Sequence, residues 1–168
     1  MTFGRVEVGN PALRAIRQEH LDDLVGAGIY AAAEVVAMAS GQFVASWITT
    51  GAAGPLTIAA WSAETIEGGV DIYRLSDNET WLLESFVIAK RARHKGLGRG
   101  LYNAAVEEVR SLCAVRQGAV RVRVYSMARE RESGTFWKHL LERNPELSGN
   151  MVILGATYDA VGWEERSR

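Results

Sequence analysis

The sequence predicts an α+β fold: a mixed, mostly antiparallel sheet of six to seven strands with helices on both faces. Three observations predict it. The 168 residues are 48% hydrophobic, enough to fill one core and too few for two ordinary domains. The pattern of apolar residues gives the order strand, two helices, three strands, helix, strand, helix, and one or two final strands. Three of those strands follow one another through short turn-forming stretches, the signature of an antiparallel meander.

Phe3 to Val8 alternates apolar and charged residues and reads as the first strand. Asn10-Pro11 reads as a helix start, a side-chain cap followed by proline at the first helical position. Leu13, Ile16, His20, Leu21 and Leu24 keep helical spacing up to Gly26. A second, Ala-rich helix is expected from Ile29 to about Ile48, and Gly51 to Pro55 breaks the chain after it. Leu56–Ser62, Gly69–Leu75 and Thr80–Ile88 are the next three strands. Glu67-Gly68-Gly69 and Ser76-Asp77-Asn78-Glu79 supply turn chemistry between them. Leu97 to about Val115 is a helix with Leu101, Ala105, Val109 and Leu112 as its apolar stripe. Ala119–Tyr125 alternates Val with Arg and reads as the fifth strand. Ser133 to Arg143 reads as a helix, and Met151–Tyr158 and Ala160–Trp163 as final strands.

Nineteen Lys and Arg face twenty Asp and Glu, so a domain-wide basic surface for nucleic acid is excluded. The one cysteine, Cys113, permits no disulfide framework and no multi-cysteine zinc site within the chain. The three histidines have no partner at helical spacing, and no metal is expected. Residues 29–48 are the most apolar-leaning stretch, but Glu34, Gly41 and Gln42 argue for a buried helix over a membrane span. The first residues lack the basic-then-apolar pattern of a signal peptide, and a single thiol suits a reducing compartment, so the expected location is cytoplasmic.

The chemistry concentrates between Glu84 and Leu101. An apolar strand enters this segment, a glycine-rich loop follows, and a helix leaves it. Gly96, Gly98 and Gly100 lack a β-carbon and let a ligand approach the backbone. The free N–H groups of a helix N-terminus favour an anion. Lys90, Arg91, Arg93, Lys95 and Arg99 surround that point, and no acid stands between Glu84 and Glu107. The reading is a phosphate or diphosphate site, weighed against a solvated basic loop. The dinucleotide fingerprint and the P-loop both fail on spacing: Leu101 or Asn103 stands where the first needs its last glycine, and Leu101-Tyr102 follow Gly100 where the second needs Lys then Ser or Thr. A nucleic-acid-binding run, Lys90 to Lys95, is the third reading, but it accounts for neither the preceding strand nor the spaced glycines.

Arg93-His94-Lys95-Gly96-Leu97-Gly98 resembles a motif of the GNAT superfamily of N-acetyltransferases. There a Gln or Arg is followed after two residues by Gly, and after one more by Gly or Ala, between the fourth strand and a helix. Glu67-Gly68-Gly69-Val70 is similar to that family's second hairpin, and Phe136 to Leu140 to a variant of its late Phe-Tyr helix. The resemblance extends to the element order over most of the chain, and implies a single GNAT-like domain over residues 1–168.

It also implies acetyl-CoA as acetyl donor. The loop from His94 through Lys95, Gly96, Leu97 and Gly98 to Arg99 would hold the pyrophosphate, with Arg93 as a further phosphate contact. Phe86, Val87 and Ile88 would pair through their backbone with the pantetheine arm, much as a peptide adds to a sheet edge. The arm would enter where the fourth and fifth strands splay. The acceptor would be a small-molecule or peptide amine; no nucleic acid or membrane partner is expected, and homodimers are frequent in the family.

Glu84 is the candidate base for the amine, because a carboxylate can take its proton directly or through water. Its alternative role is a salt bridge to a neighbouring strand. The family's usual acid is a tyrosine, but Trp137 stands there and cannot donate a proton at neutral pH, and Glu130 stands where an Asn is usual. Tyr125, Tyr158 and His139 are the substitutes, and protonation of the thiolate by solvent is the other route. Glu34, Glu67, Asp71 and Glu84 could together line a pocket for a cationic amine, or could be scattered surface acids. Trp47, Trp61 and Trp81 read as core residues, and Cys113 as a small buried hydrophobe. The competing function is a non-catalytic acyl-CoA sensor or partner-binding module.

Overall fold

A computed structural model describes residues 1–28, 31–33, 56–74, 80–113, 121–127, 136–137, 139–140, 152–154 and 160–166. Strand β1 (Thr2–Val6) leads into helix α1 (Pro11–Gly26). Strands β2 (Leu56–Ser62), β3 (Thr65–Arg74) and β4 (Thr80–Ile88) follow. A short 3₁₀ turn (Lys90–Ala92) precedes helix α2 (Leu97–Cys113). Strands β5 (Arg121–Met127), β6 (Val152–Leu154) and β7 (Ala160–Arg166) complete the described elements. The strands form a sheet in the order β1-β2-β3-β4-β5-β7-β6. Among the described strands only the β4–β5 pair is parallel. The class is therefore mixed α+β, with a largely antiparallel sheet and helices packed on it.

Local chemistry sets the ends of α1. Asn10 Oδ1 accepts from Ala12 N at 3.0 Å and Leu13 N at 3.4 Å, and Pro11 needs no donor partner. Strand β1 stops at Val6, short of the expected Val8, because Asn10 N turns back to Glu7 O at 3.1 Å. The second expected helix, 29–48, and the breaker 51–55 lie almost wholly outside the described residues.

Register and contacts assign the helices to opposite faces. Thr57 and Asp71 are paired across β2–β3 and share a hydrogen bond, so they share a face. Arg17 of α1 reaches Asp71 on that face, and a β-carbon on Gly69 would meet Leu13 of α1 at 2.6 Å. Phe3 and Arg5 of β1 meet α2 on the other face, at Gly100 and Glu108. Alternation then places Ala60 and Ile58 on the α2 side. Leu13, Ile58, Ile72, Leu83, Leu101 and Val109 are fully buried between these layers. Each such side chain stabilises the fold by about 1.5–3 kcal/mol.

The β2–β3 turn corrects one expectation. It lies at Ala63–Glu64, where Ala63 takes φ +54°, and Glu67-Gly68-Gly69 is inside β3. The two glycines serve close packing and not a turn. A β-carbon on Gly68 would lie 2.6 Å from Val87 O, and one on Gly69 3.0 Å from Ile58 O.

Candidate active site

The site begins where the sheet opens. Parallel pairing of β4 with β5 runs from Thr80–Arg121 to Leu83–Val124 and ends there, although β4 continues to Ile88 and β5 to Met127. A bulge adjoins the opening: the β3–β4 register shifts between Gly69 and Asp71, and Ser85 takes φ +53°. A positive φ is uncommon for serine and marks a bent strand held by its surroundings. From residue 84 onward, the β5-facing edge of β4 has no ladder partner on β5.

Beyond Ile88 the chain turns through Lys90–Ala92 and reverses at His94, φ +61°, and Gly96, φ +78°. Gly100 N donates to Gly96 O at 3.2 Å, which starts α2. The N–H groups of Leu97, Gly98 and Arg99 thus have no carbonyl behind them in the helix. The three loop glycines have three different causes. Gly96 has open space around a β-carbon but a left-handed backbone. A β-carbon on Gly98 would stand 3.0 Å from the Phe136 ring, and one on Gly100 2.5 Å from Phe3. Of these three, Gly96 alone has open space at its β-carbon position.

The five cations are similarly divided. Lys90 pairs with Asp23 at 3.1 Å, and Arg91 with Glu67 at 2.9 Å. Arg93 folds back onto the protein: its Nε donates to Ile88 O at 3.2 Å, and its Nη2 donates to His20 Nδ1 at 2.9 Å. That side chain fastens the loop to α1 and to the end of β4. Lys95 and Arg99 are exposed and make no ion pair among the described residues. Those two are the cations free to face an anion at the helix N-terminus.

On the α1 face, Glu84 lies opposite Asp71 in the register. Burial pushes its carboxyl up from the ordinary 4.5, opposed by a hydrogen bond from Ser85; the Asp71 charge adds to the rise and Arg17 opposes it. Asp71 is 7% exposed and is fully engaged: Thr57 Oγ1 donates to its Oδ1 at 2.7 Å, and Arg17 Nη1 lies 2.9 Å from its Oδ2. Tyr73, next along β3 on that face, is pushed up to about 12, mainly by burial and then by Glu84 and Asp71, so it stays a neutral hydroxyl.

The sequence profile described as the acetyltransferase (GNAT) family matches residues 16–129, from α1 through the loop to just past β5. The chain belongs to the GNAT acetyltransferase family. The family's members are N-acyltransferases that use coenzyme A thioesters. Solved GNAT structures share the fold. An acetyltransferase of Staphylococcus aureus Mu50 superposes with a TM-score of 0.63 at 9% identity, covering 99% of this chain and 100% of that one. The ribosomal-protein-S18-alanine N-acetyltransferase of Escherichia coli gives 0.60 at 14% identity, over 98% and 92% of the two chains. The PaiA N-acetyltransferase of Thermoplasma acidophilum, solved with coenzyme A, gives 0.60 at 11%, over 99% and 100%. No curated protein matches the sequence significantly.

Within this GNAT frame the structure brings together Glu84, the β4 edge at Phe86, Val87 and Ile88, and the loop from Arg93 to Arg99. Tyr125 lies on β5 opposite Gly162, one residue past the last β4–β5 pair. Glu34, Trp47, Glu130 and Tyr158 lie outside the described residues. Trp137 is buried and packs edge-on against Phe86, Phe136 and Tyr102 at ring distances of 5.2, 4.8 and 5.9 Å. His139 is exposed. The acidic-pocket reading is altered among the described acids: Glu67 is paired with Arg91 and Asp71 with Arg17, which leaves Glu84. Sequence reasoning passed over Arg17, Thr57, Tyr73 and Ser85. Arg17 carried a signal, a cation four residues after Leu13 on the buried stripe of α1. Among the described residues no group of three or more His, Cys, Asp and Glu could hold a metal, and no helix is long and apolar enough to cross a membrane.

Proposed function

We propose that this protein, as one domain over residues 1–168, transfers an acetyl group from acetyl-CoA to a primary amine by direct attack in a ternary complex. The observation that carries the reading is the opening between β4 and β5 at Leu83–Val124, with Glu84 at its mouth and free helix amides beyond its far end. The β5-facing backbone edge of Phe86, Val87 and Ile88, which has no ladder partner on β5, suits the amides of a pantetheine arm. The amides from His94 through Gly96 to Arg99, with Lys95 and Arg99, suit the pyrophosphate.

In this scheme Glu84 takes a proton from the acceptor ammonium, directly or through one water. The amine nitrogen then forms a bond to the thioester carbonyl carbon, the C–S bond breaks, and the second proton lost from nitrogen replaces, through water, the one given to the departing thiolate. Backbone N–H groups at the β4 bulge polarise the carbonyl oxygen. Tyr125 is the residue proposed to return a proton to the departing thiolate. Binding both reactants in one cleft supplies much of the acceleration. The raised carboxyl of Glu84 suits this role, since it is a stronger base than an exposed carboxylate once ionised.

Release of CoA thiol, followed with a thiol-reactive chromophore over a panel of amines and peptides, tests the proposal. Turnover that Glu84→Gln abolishes, with acetyl-CoA affinity retained, is the expected result. Tight acetyl-CoA binding without turnover on any acceptor would favour a sensor and overturn the catalytic reading.

A further inference from the structure

Arg17 is held by one nitrogen only. Its Nη1 meets Asp71, and among the described residues its Nε and Nη2 are buried with no hydrogen-bond partner. These two N–H groups lie on the same edge of the guanidinium and form the parallel fork that receives a carboxylate. A buried donor pair left unsatisfied is costly, and native folds seldom retain one without a use. Glu84 is the nearest carboxylate on the facing strand, and the two side chains feel each other's charge, yet no ion pair joins them.

The setting limits what the fork could hold. Leu13 covers Gly69, and Arg17, one helical turn later, covers Asp71, two residues along the strand. Asp71 is directly opposite Glu84 in the register and its Oδ2 lies 2.9 Å from Arg17 Nη1, so the guanidinium and the base flank the same residue. Asp71 and Glu67 are neutralised by arginines, so the described acids do not provide the repeated negative charge that a polyamine would need.

We infer that the free edge of Arg17 anchors a carboxylate of the acceptor, making the acceptor a small amino acid whose amine lies beside Glu84. The inference rests on the acetyltransferase reading above and names the substrate class of that same site. A guanidinium and a carboxylate that flank one residue suit α- and β-amino acids, whose carboxylate and amine are a few bonds apart. Arg17 would fix the carboxylate in two hydrogen bonds, and Glu84 would take the proton from the adjacent ammonium.

The test compares amino acids with the matching amines that lack the carboxylate, using CoA release by the wild-type chain. The amino acid should win by about 100-fold or more in kcat/KM, since the fork is left unpaired by the amine. Arg17→Gln should raise KM for the amino acid and bring that ratio close to one. Equal wild-type activity on both members of each pair would overturn the inference and leave the acetyltransferase reading intact. So would an Arg17→Gln variant that lowers both activities by one factor. A second measurement does not need turnover: thermal unfolding of the CoA-loaded protein with the amino acid alone. Stabilisation of wild type but not of Arg17→Gln supports the carboxylate site even if no acceptor is acetylated, the outcome that would overturn the catalytic reading. No stabilisation of wild type by any amino acid counts against it.

Discussion

Asp71→Asn separates the roles of the network beneath Glu84. The change keeps the side-chain shape. Oδ1 can still accept from Thr57, now 2.7 Å away, but the amide nitrogen then faces Arg17 Nη1, donor against donor. Removing one partner of a fully buried ion pair costs about 3–5 kcal/mol. Here the Arg17 side chain keeps 21% of its exposure, so water screens part of its charge, and the Thr57 bond survives. The expected loss is about 2 kcal/mol. For a chain of 168 residues that is a fall in Tm of about 4–8 °C. The second readout is catalytic. Burial is the main cause of the raised Glu84 carboxyl, Asp71 adds to it, and Arg17 opposes it. Neutralising Asp71 removes a raising charge and releases Arg17, so the Glu84 carboxyl falls. The acid limb of log kcat/KM against pH should then move to lower pH. Denaturant unfolding and a pH series of CoA release measure the two effects. An acid limb that stays put or moves up would refute the coupling. A stability loss below about 0.5 kcal/mol, the range of ordinary surface changes, would refute the buried pair as a structural tie.

Glu84→Gln should lower kcat far more than acetyl-CoA affinity, and wild-type activity should rise with pH through a carboxyl value above the ordinary 4.5. The same shift has a stability sign: the folded chain holds this proton more tightly than the unfolded one, so that contribution is complete below 4.5 and lost as pH rises through the raised value. Glu84→Gln should therefore gain on wild type at about pH 8 relative to about pH 4, measured by urea unfolding. The double change Lys95→Ala and Arg99→Ala should weaken acetyl-CoA binding by about tenfold at low salt and flatten its salt dependence, because these exposed cations act through screened attraction. Calorimetric titration at two ionic strengths checks this, and unchanged affinity would leave the backbone amides as the sole anion contacts. Gly96→Ala should destabilise by about 1 kcal/mol, since its φ of +78° strains any L side chain although the space is open. Gly98→Ala should stay within about 0.5 kcal/mol, because the better helix former offsets a contact that the half-buried Phe136 ring relieves by shifting. Equal losses at the two glycines, in thermal unfolding, would contradict their separate causes.

The sequence by itself determined what depends on neighbours along the chain. Asn10-Pro11 announces its helix because the cap, the amides it receives and the proline lie within four residues. Strands Leu56–Ser62 and Thr80–Ile88 and the start of α2 at Leu97 were legible for the same reason, as were the positive charge and glycine spacing of the loop. The tertiary structure alone decided what depends on residues far apart. Gly68 and Gly69 have turn composition, but Val87, Ile88, Leu13 and the Ile58 carbonyl close in on them from other elements. Arg93 belongs to the phosphate motif by sequence, and only the fold shows that its Nη2 also reaches His20, 73 positions away. Asp71 and Glu84 are both acids on neighbouring strands; an arginine arriving from α1 neutralises one and leaves the other without an ion pair among the described residues. Which side chain remains free is set by packing across the sheet, and no window of sequence contains all the partners that settle it.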